Sequence, residues 1–208
     1  MKSNISAPGK LIVLEGIDGT GKSTLIRRLA AHCLAHGIDC VVSGEPTRGQ
    51  WGRRLRESAR SGRLELKEEL ELFIKDRTEH VEQVIRPAQA AGQVVLLDRY
   101  YFSTAAYQGA RGADPEKILA ANEQFAPIPD LVLLLDLPPN IAMTRITHRG
   151  DEPDAFEALE YQEKVRRIFL SIRRPMIRVI DAARDLEAVW RDCYAHCIPI
   201  LRRAEEAK

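Results

Sequence analysis

Five short apolar runs recur along the chain, at about 10–15, 40–43, 94–97, 131–135 and 176–180. Each is four to six residues long and bounded by turn-forming or charged residues, the signature of strands buried on both faces. Between them apolar residues return every three or four positions, which predicts helices. The first predicted helix runs to about residue 36, where Gly37 ends it. An arginine-rich helix (Arg53, Arg54, Arg56, Arg60) follows and is broken by Gly62. A long helix spans about 66–91, with a bend expected at Pro87. Asp114-Pro115 opens another, Pro115 suiting a first turn. Pro138 or Pro139 starts the next, which reaches about 148; a further helix runs to about 173. The last covers about 186–203, and Pro199 is expected to bend or end it. Strands alternating with helices predict an α/β fold: a three-layer arrangement with a five-stranded parallel sheet flanked by helices.

In such a sheet ligands sit beyond the carboxyl ends of the strands. The first strand end carries the clearest chemistry. Gly16-Ile17-Asp18-Gly19-Thr20-Gly21-Lys22-Ser23-Thr24 has the spacing Gly-x4-Gly-Lys-Ser, the P-loop pattern, between a strand and a helix. Glycines let backbone N–H groups turn inward around phosphate oxygens, and the helix start adds a positive dipole end. Lys22 is placed to reach a transferring phosphate, and the Ser23 hydroxyl to ligate Mg²⁺. Three other strands end in Asp98, Asp136 and Asp181. Asp136, just before two prolines, fits a helix cap; Asp98, followed by Arg99, fits a metal or acceptor role with an arginine fork for a second phosphate. The remaining strand-end segments are Glu45-Pro46-Thr47-Arg48 and Asp181-Ala182.

Two helical features leave alternatives open. Leu66, Leu70, Phe73, Arg77, Val81 and Val84 trace one predicted apolar stripe with an arginine inside it. Either Arg77 reaches water or pairs with a core carboxylate, or Phe73 and Arg77 form a pocket wall, one stacking on a ring and the other donating to its carbonyl. The segment 144–154 carries Arg145 and Arg149 around a turn and reads either as a lid over the phosphates or as a solvated charged loop.

Composition narrows this little. The chain has 208 residues, suited to one large domain, and a formal net charge of +1, which gives no push toward nucleic acid or anionic membrane. There is no span-length apolar run and no signal-peptide core, so the expected location is the cytoplasm. The four cysteines (Cys33, Cys40, Cys193, Cys197) fit no usual zinc spacing and read as free thiols; His32 and His36 read as ordinary helix surface. The guanine-reading Asn-Lys-x-Asp is absent.

Three stretches together resemble the thymidylate kinases. They are Leu14-Glu15-Gly16 through Thr24, Leu72-Phe73-x3-Arg77-x2-His80, and Asp98-Arg99-Tyr100-x2-Ser103-x2-Ala106-Tyr107-Gln108. The resemblance implies a single domain over residues 1–208 with a lid at about 145–157. The implied reaction transfers the γ-phosphate of ATP to dTMP with Mg²⁺ held near Ser23 and Asp98, and the implied assembly is a homodimer. By the same resemblance Phe73 stacks on thymine and Arg77 bonds its carbonyl, with Thr104 and Gln108 also at the base and Tyr107 under the deoxyribose. Asp18 holds the 3′-hydroxyl or positions phosphates. Arg99, with Arg48 as a second contact, binds the dTMP phosphate, and main chain at Ala182 faces adenine. Some members carry an arginine in the P-loop after the aspartate; here that place is Gly19. The chain therefore resembles the bacterial class that draws its catalytic arginine from the lid, with Arg149 the first choice and Arg145 the second. The rival readings are a deoxynucleoside kinase, which shares the fold and a Glu-Pro after strand two, and a nucleotide-dependent switch.

Overall fold

The structure is a computed structural model and describes residues 8–147 and 155–206. Five strands form one sheet: β1 (Leu11–Glu15), β2 (Cys40–Gly44), β3 (Val94–Asp98), β4 (Leu131–Asp136) and β5 (Ile177–Asp181). Their order is β2-β3-β1-β4-β5 and every pairing is parallel. Every residue of β1 is buried, as are all but the last of β3 and β4, so these three run unbroken in apolar character. The edges β2 and β5 are wetter, with Val42 and Val179 about half exposed. Because the strands are parallel, all five carboxyl ends share one edge of the sheet, and the register sets Gly44 beside Asp98 and Leu14 beside Asp98.

The helices among the described residues are α1 (Lys22–Ala35), α2 (Gln50–Ser61), α3 (Leu66–His80), α4 (Arg86–Ala90), α5 (Tyr101–Ala110), α6 (Pro115–Glu123), α7 (Pro139–Thr147), α8 (Ala155–Ser171) and α9 (Leu186–Glu206). α1 packs on α9, while α5 packs against α3, α6 and α8. The expected α/β architecture is therefore present. Asp114 caps α6 as its Asp-Pro start suggested, its Oδ1 accepting from the N–H groups of Glu116 and Lys117 at 3.0 and 3.2 Å.

Four local expectations change. The long helix is not one regular helix. A π turn, Val81–Ile85, joins α3 to α4 just before Pro87, where the missing proline N–H would otherwise break the ladder. α9 runs through Pro199 without ending. Asp136 is gripped by Arg166 of α8 through paired contacts of 2.6 and 2.8 Å. Finally, α5 lies where only a strand end and a connection were expected. Tyr101 to Ala106 and Gln108 are all buried, so the helix has no polar face to reveal its period. All four cysteines are free, and Cys33, Cys193 and Cys197 are buried.

Candidate active site

The P-loop closes between β1 and α1. Its lysine folds back on it: Lys22 Nζ donates to the carbonyls of Gly16 (2.9 Å) and Ile17 (2.8 Å), and lies 3.4 Å from Thr20 Oγ1. The Thr20 hydroxyl donates to Ile17 O. Burial, with the nearby Arg99 charge, pulls the Lys22 ammonium down to about 7 against the opposing pull of Asp18, Asp98 and Glu15. Gly19 has φ +81, and a Cβ there would stand 2.7 Å from the carbonyl oxygen of Ala142 in α7. A side chain at this position would have to displace the α7 backbone.

Beside the loop, Ser23 Oγ donates to Asp98 Oδ2 at 2.8 Å. Two hard oxygen ligands thus converge at the start of α1 and the end of β3. That suits a cation which keeps most of its shell as water and phosphate oxygen. Of the three strand-end aspartates, only Asp98 reaches the loop. Asp136 is paired with Arg166, and Asp181 accepts from the Ala183 N–H in its own turn.

Arg99 is the junction of the site. It is the non-glycine residue with positive φ, +70°, among the described residues. Its N–H still bonds Leu14 O. That backbone turn, unfavourable by about 1–2 kcal/mol for an L-residue, aims the guanidinium along α5. There it donates to Ser103 Oγ (2.9 Å), Tyr107 OH (3.3 Å) and Asp18 Oδ1 (2.7 Å). Burial opposes its charge, but Tyr107, Asp18 and Glu15 outweigh that and the pKa is raised. Asp18 is held below the usual carboxylate range: Arg99 and Lys22 overcome the effect of burial. Underneath, the fully buried Glu15 accepts from the N–H groups of Tyr100 (2.8 Å) and Ser103 (3.2 Å) and from Ser103 Oγ (2.5 Å). Glu15 thereby fixes the turn that carries Arg99. Its own pKa is pushed up to about 7, chiefly by burial.

The P-loop, Asp98 and Arg99 open into a cleft of about 1720 Å³. Its other walls come from 42–49, from Arg53 and Arg56 of α2, and from the α3–π turn region. Arg48 lies in this wall and is exposed. Arg56, which the sequence did not single out, donates to the carbonyls of Pro46 (2.8 Å) and Thr47 (2.6 Å). Thr47 is further clamped by Asp76, whose carboxylate accepts its N–H (2.8 Å) and hydroxyl (2.6 Å). Close packing holds α2 against this loop, since a Cβ on Gly52 would fall 2.0 Å from Thr47 O.

Deeper, the expected apolar stripe is replaced by a polar one. The buried positions of α3 are Glu69, Leu72, Asp76, Arg77 and His80; Leu66, Leu70, Phe73 and Val84 are only half-buried. Each polar member has a partner across the interface, as burial requires. Arg77 is 1% exposed and pairs with a core carboxylate, one of the alternatives left open. Its Nε and Nη2 reach Glu45 Oε2 at 2.8 and 2.7 Å, Nη2 also reaches Thr104 Oγ1 at 3.0 Å, and Nη1 reaches Asn122 Oδ1 at 2.5 Å. His80 backs Glu45, Nδ1 to Oε1 at 3.0 Å, and Ser43 lies 2.7 Å from its other ring nitrogen. A guanidinium has five N–H hydrogens. Two serve Glu45, one Thr104 and one Asn122, which leaves one on Nη1 without a partner among the described residues. Thr104 and Gln108 are one turn apart on α5 and both buried, and Gln108 Oε1 has no partner among the described residues. Phe73 sits on α3 one turn before Arg77. Tyr107 links this side to the cleft: its hydroxyl meets Arg99, and its carbonyl accepts from Tyr161 OH at 2.9 Å. On the donor side, Arg145 Nη1 donates to Ala182 O at 3.2 Å. Arg149 and most of the expected lid lie outside the described residues.

The fold and this site define a P-loop nucleotide-binding α/β protein. The sequence profile of the Thymidylate kinase family matches residues 14–193. The chain is 55% identical over 181 residues to a protein of Akkermansia muciniphila named Thymidylate kinase, covering 87% of each chain. It is 48% identical over 201 residues to one of Xanthomonas campestris pv. campestris with the same name, covering 97% of this chain and 88% of the relative. The chain belongs to the thymidylate kinase family.

Proposed function

We propose that this chain transfers the γ-phosphoryl group of ATP to dTMP, giving dTDP, as one domain with a lid at about 145–157. Family membership and one geometric observation support the reading. Arg99 is shared between the P-loop carboxylate Asp18 and the hydroxyls of Ser103 and Tyr107, at the mouth of the cleft. A cation so placed faces the phosphate of an acceptor laid along α5, opposite the donor phosphates in the loop. A nucleoside kinase needs no such group.

In this reading Lys22 leaves its two carbonyls for the donor phosphates. Ser23 and Asp98 would hold Mg²⁺, which would supply positive charge against the phosphates. The loop N–H groups from Gly16 to Thr24 bind phosphate oxygens. Arg99 and Arg48, with Arg56, hold the acceptor phosphate in line. Asp98 lies beside the reacting oxygens, and Asp18 meets the sugar 3′-hydroxyl. Phe73 stacks on the base and Tyr107 lies under the deoxyribose. The free N–H of Arg77 donates to the base carbonyl, and Gln108 Oε1 accepts from the ring N–H beside it. Thymine shows that carbonyl and imino edge; cytosine shows the reverse. Backbone at Ala182 faces adenine. Phosphoryl transfer depends on positioning and charge. With glycine rather than arginine at position 19, the transition-state charge falls to Arg149 or Arg145. The protein works in the cytoplasm as a homodimer.

The test is ADP release with dTMP, thymidine, dUMP and dCMP as acceptors. Turnover is expected on dTMP and not on thymidine; the opposite preference ends the reading. Arg149→Ala should lower kcat by about 10³ or more with little change in dTMP affinity. Unchanged turnover would remove that assignment. Chelating the divalent ion should abolish transfer, and Mg²⁺ should restore it. Light scattering should return twice the chain mass.

A further inference from the structure

Glu69 lies in the first turn of α3, is 5% exposed, and is not among the residues that line the cleft. It is a buried carboxylate outside the phosphate chemistry. Its partners are both on α5: Oε2 accepts from Gln108 Nε2 at 3.1 Å and from Arg111 Nη1 in a very short contact. Arg111 is itself anchored, its other nitrogen donating to Leu64 O at 3.0 Å. The α3–α5 interface therefore has two polar rungs, Glu69–Gln108 and Arg77–Thr104. Phe73 is four residues from each α3 member, one turn between them.

An amide side chain can present either its oxygen or its NH₂, and the two faces have nearly the same shape. A carboxylate accepts only, so it decides between them. With Nε2 committed to Glu69, Oε1 is turned the other way, and it is a buried acceptor with no partner among the described residues. We propose that Glu69 is a specificity-positioning residue. By fixing the Gln108 amide with its oxygen turned away from the carboxylate, it makes this rung an acceptor that takes a ring N–H and rejects a ring nitrogen lone pair. The inference rests on the base-side reading above and names the residue that sets its polarity. Reversing the amide to suit cytosine would set Oε1 against the Glu69 carboxylate, so the site cannot adapt.

The test compares dTMP, dUMP and dCMP as acceptors, with dCMP also measured as a competitive inhibitor of dTMP phosphorylation. Glu69→Gln replaces the acceptor-only group with one that tolerates either amide orientation. It is expected to lower the preference for dTMP over dCMP in kcat/KM by about tenfold, through KM more than kcat. dUMP should move with dTMP, because the two share the edge and differ only in the methyl group. Glu69→Asp keeps acceptor-only chemistry and should retain most of the preference. Should Glu69→Gln not fold, Arg111→Gln leaves the carboxylate unanchored and should relax the preference in the same direction. Equal losses on all three monophosphates, or an unchanged ratio, would overturn the inference and leave Glu69 a packing residue. Gln108→Leu separates the two readings. If it raises the KM for dTMP while Glu69→Gln leaves the ratio alone, only the role of Glu69 fails. If it changes neither KM nor selectivity, Gln108 does not meet the base and both fail.

Discussion

At the scale of single residues, the site rests on titratable groups whose protonation is set by burial and by their neighbours. Glu15 is the clearest case. Its folded pKa of about 7 stands above the ordinary value of 4.5 because burial outweighs the Ser103 hydroxyl, Arg99 and the Tyr100 N–H. The folded state therefore binds a proton more tightly than the unfolded chain. The stability this supplies is complete below about 4.5 and is lost as pH rises to about 7, a change on the order of 3 kcal/mol. Glu15→Gln should flatten that part of the pH profile of the urea midpoint; a profile of unchanged slope would show that Glu15 titrates normally. The sequence placed an acid before Gly16 but gave no hint of this role. The donors it serves, Tyr100 and Ser103, lie some eighty residues away and meet it only through the β1–β3 pairing. Arg99, by contrast, was legible from its place after a strand-end aspartate, although its positive φ was not.

At the scale of elements, α3 shows how a helix can face the core with polar side chains. Asp76, Arg77 and His80 hold the 43–47 segment rather than pack against apolar neighbours. Asp76→Ala would release both bonds to Thr47 and loosen the loop that Arg56 braces from the other side. The loss of two part-buried hydrogen bonds at about 1 kcal/mol each should raise the KM for dTMP roughly tenfold and leave that for ATP nearly unchanged. Equal changes in both would place the loop's role elsewhere. The π turn then adds a residue and rotates the helix phase by about 100°. The inner face passes from Leu72, Asp76 and His80 to Val81, Ile85 and Ala88. A single 3.6-residue stripe drawn through Leu66, Leu70, Phe73, Arg77, Val81 and Val84 caught Arg77 and Val81 but missed Leu72, Asp76, His80 and Ile85. α5 escaped for the opposite reason, being buried on nearly every side. Strands were legible because both faces are buried and the apolar runs are continuous.

At the scale of the whole molecule, the proposed reading sets two substrates on one sheet edge, and each should stabilise the fold by mass action. ATP with Mg²⁺ and dTMP, each at about 100 times its dissociation constant, should each add about 2.7 kcal/mol. For a chain of this length that is a rise in Tm of several degrees apiece. Thymidine, which lacks the group Arg99 would hold, should give a smaller rise than dTMP; an equal rise would remove Arg99 from acceptor binding. The alternation of strand and helix told of a parallel sheet. The order β2-β3-β1-β4-β5 was not readable, because three equally apolar strands could exchange places without changing the pattern.

The contacts of Lys22 bear on exchange in the proposed reading. If Lys22 serves the donor phosphates, the carbonyls of Gly16 and Ile17 give its ammonium partners within the loop itself. Release of nucleotide would then not leave a buried cation without partners. The same carbonyls would compete with an incoming phosphate, so the loop would give up some grip on nucleotide in return for letting it go.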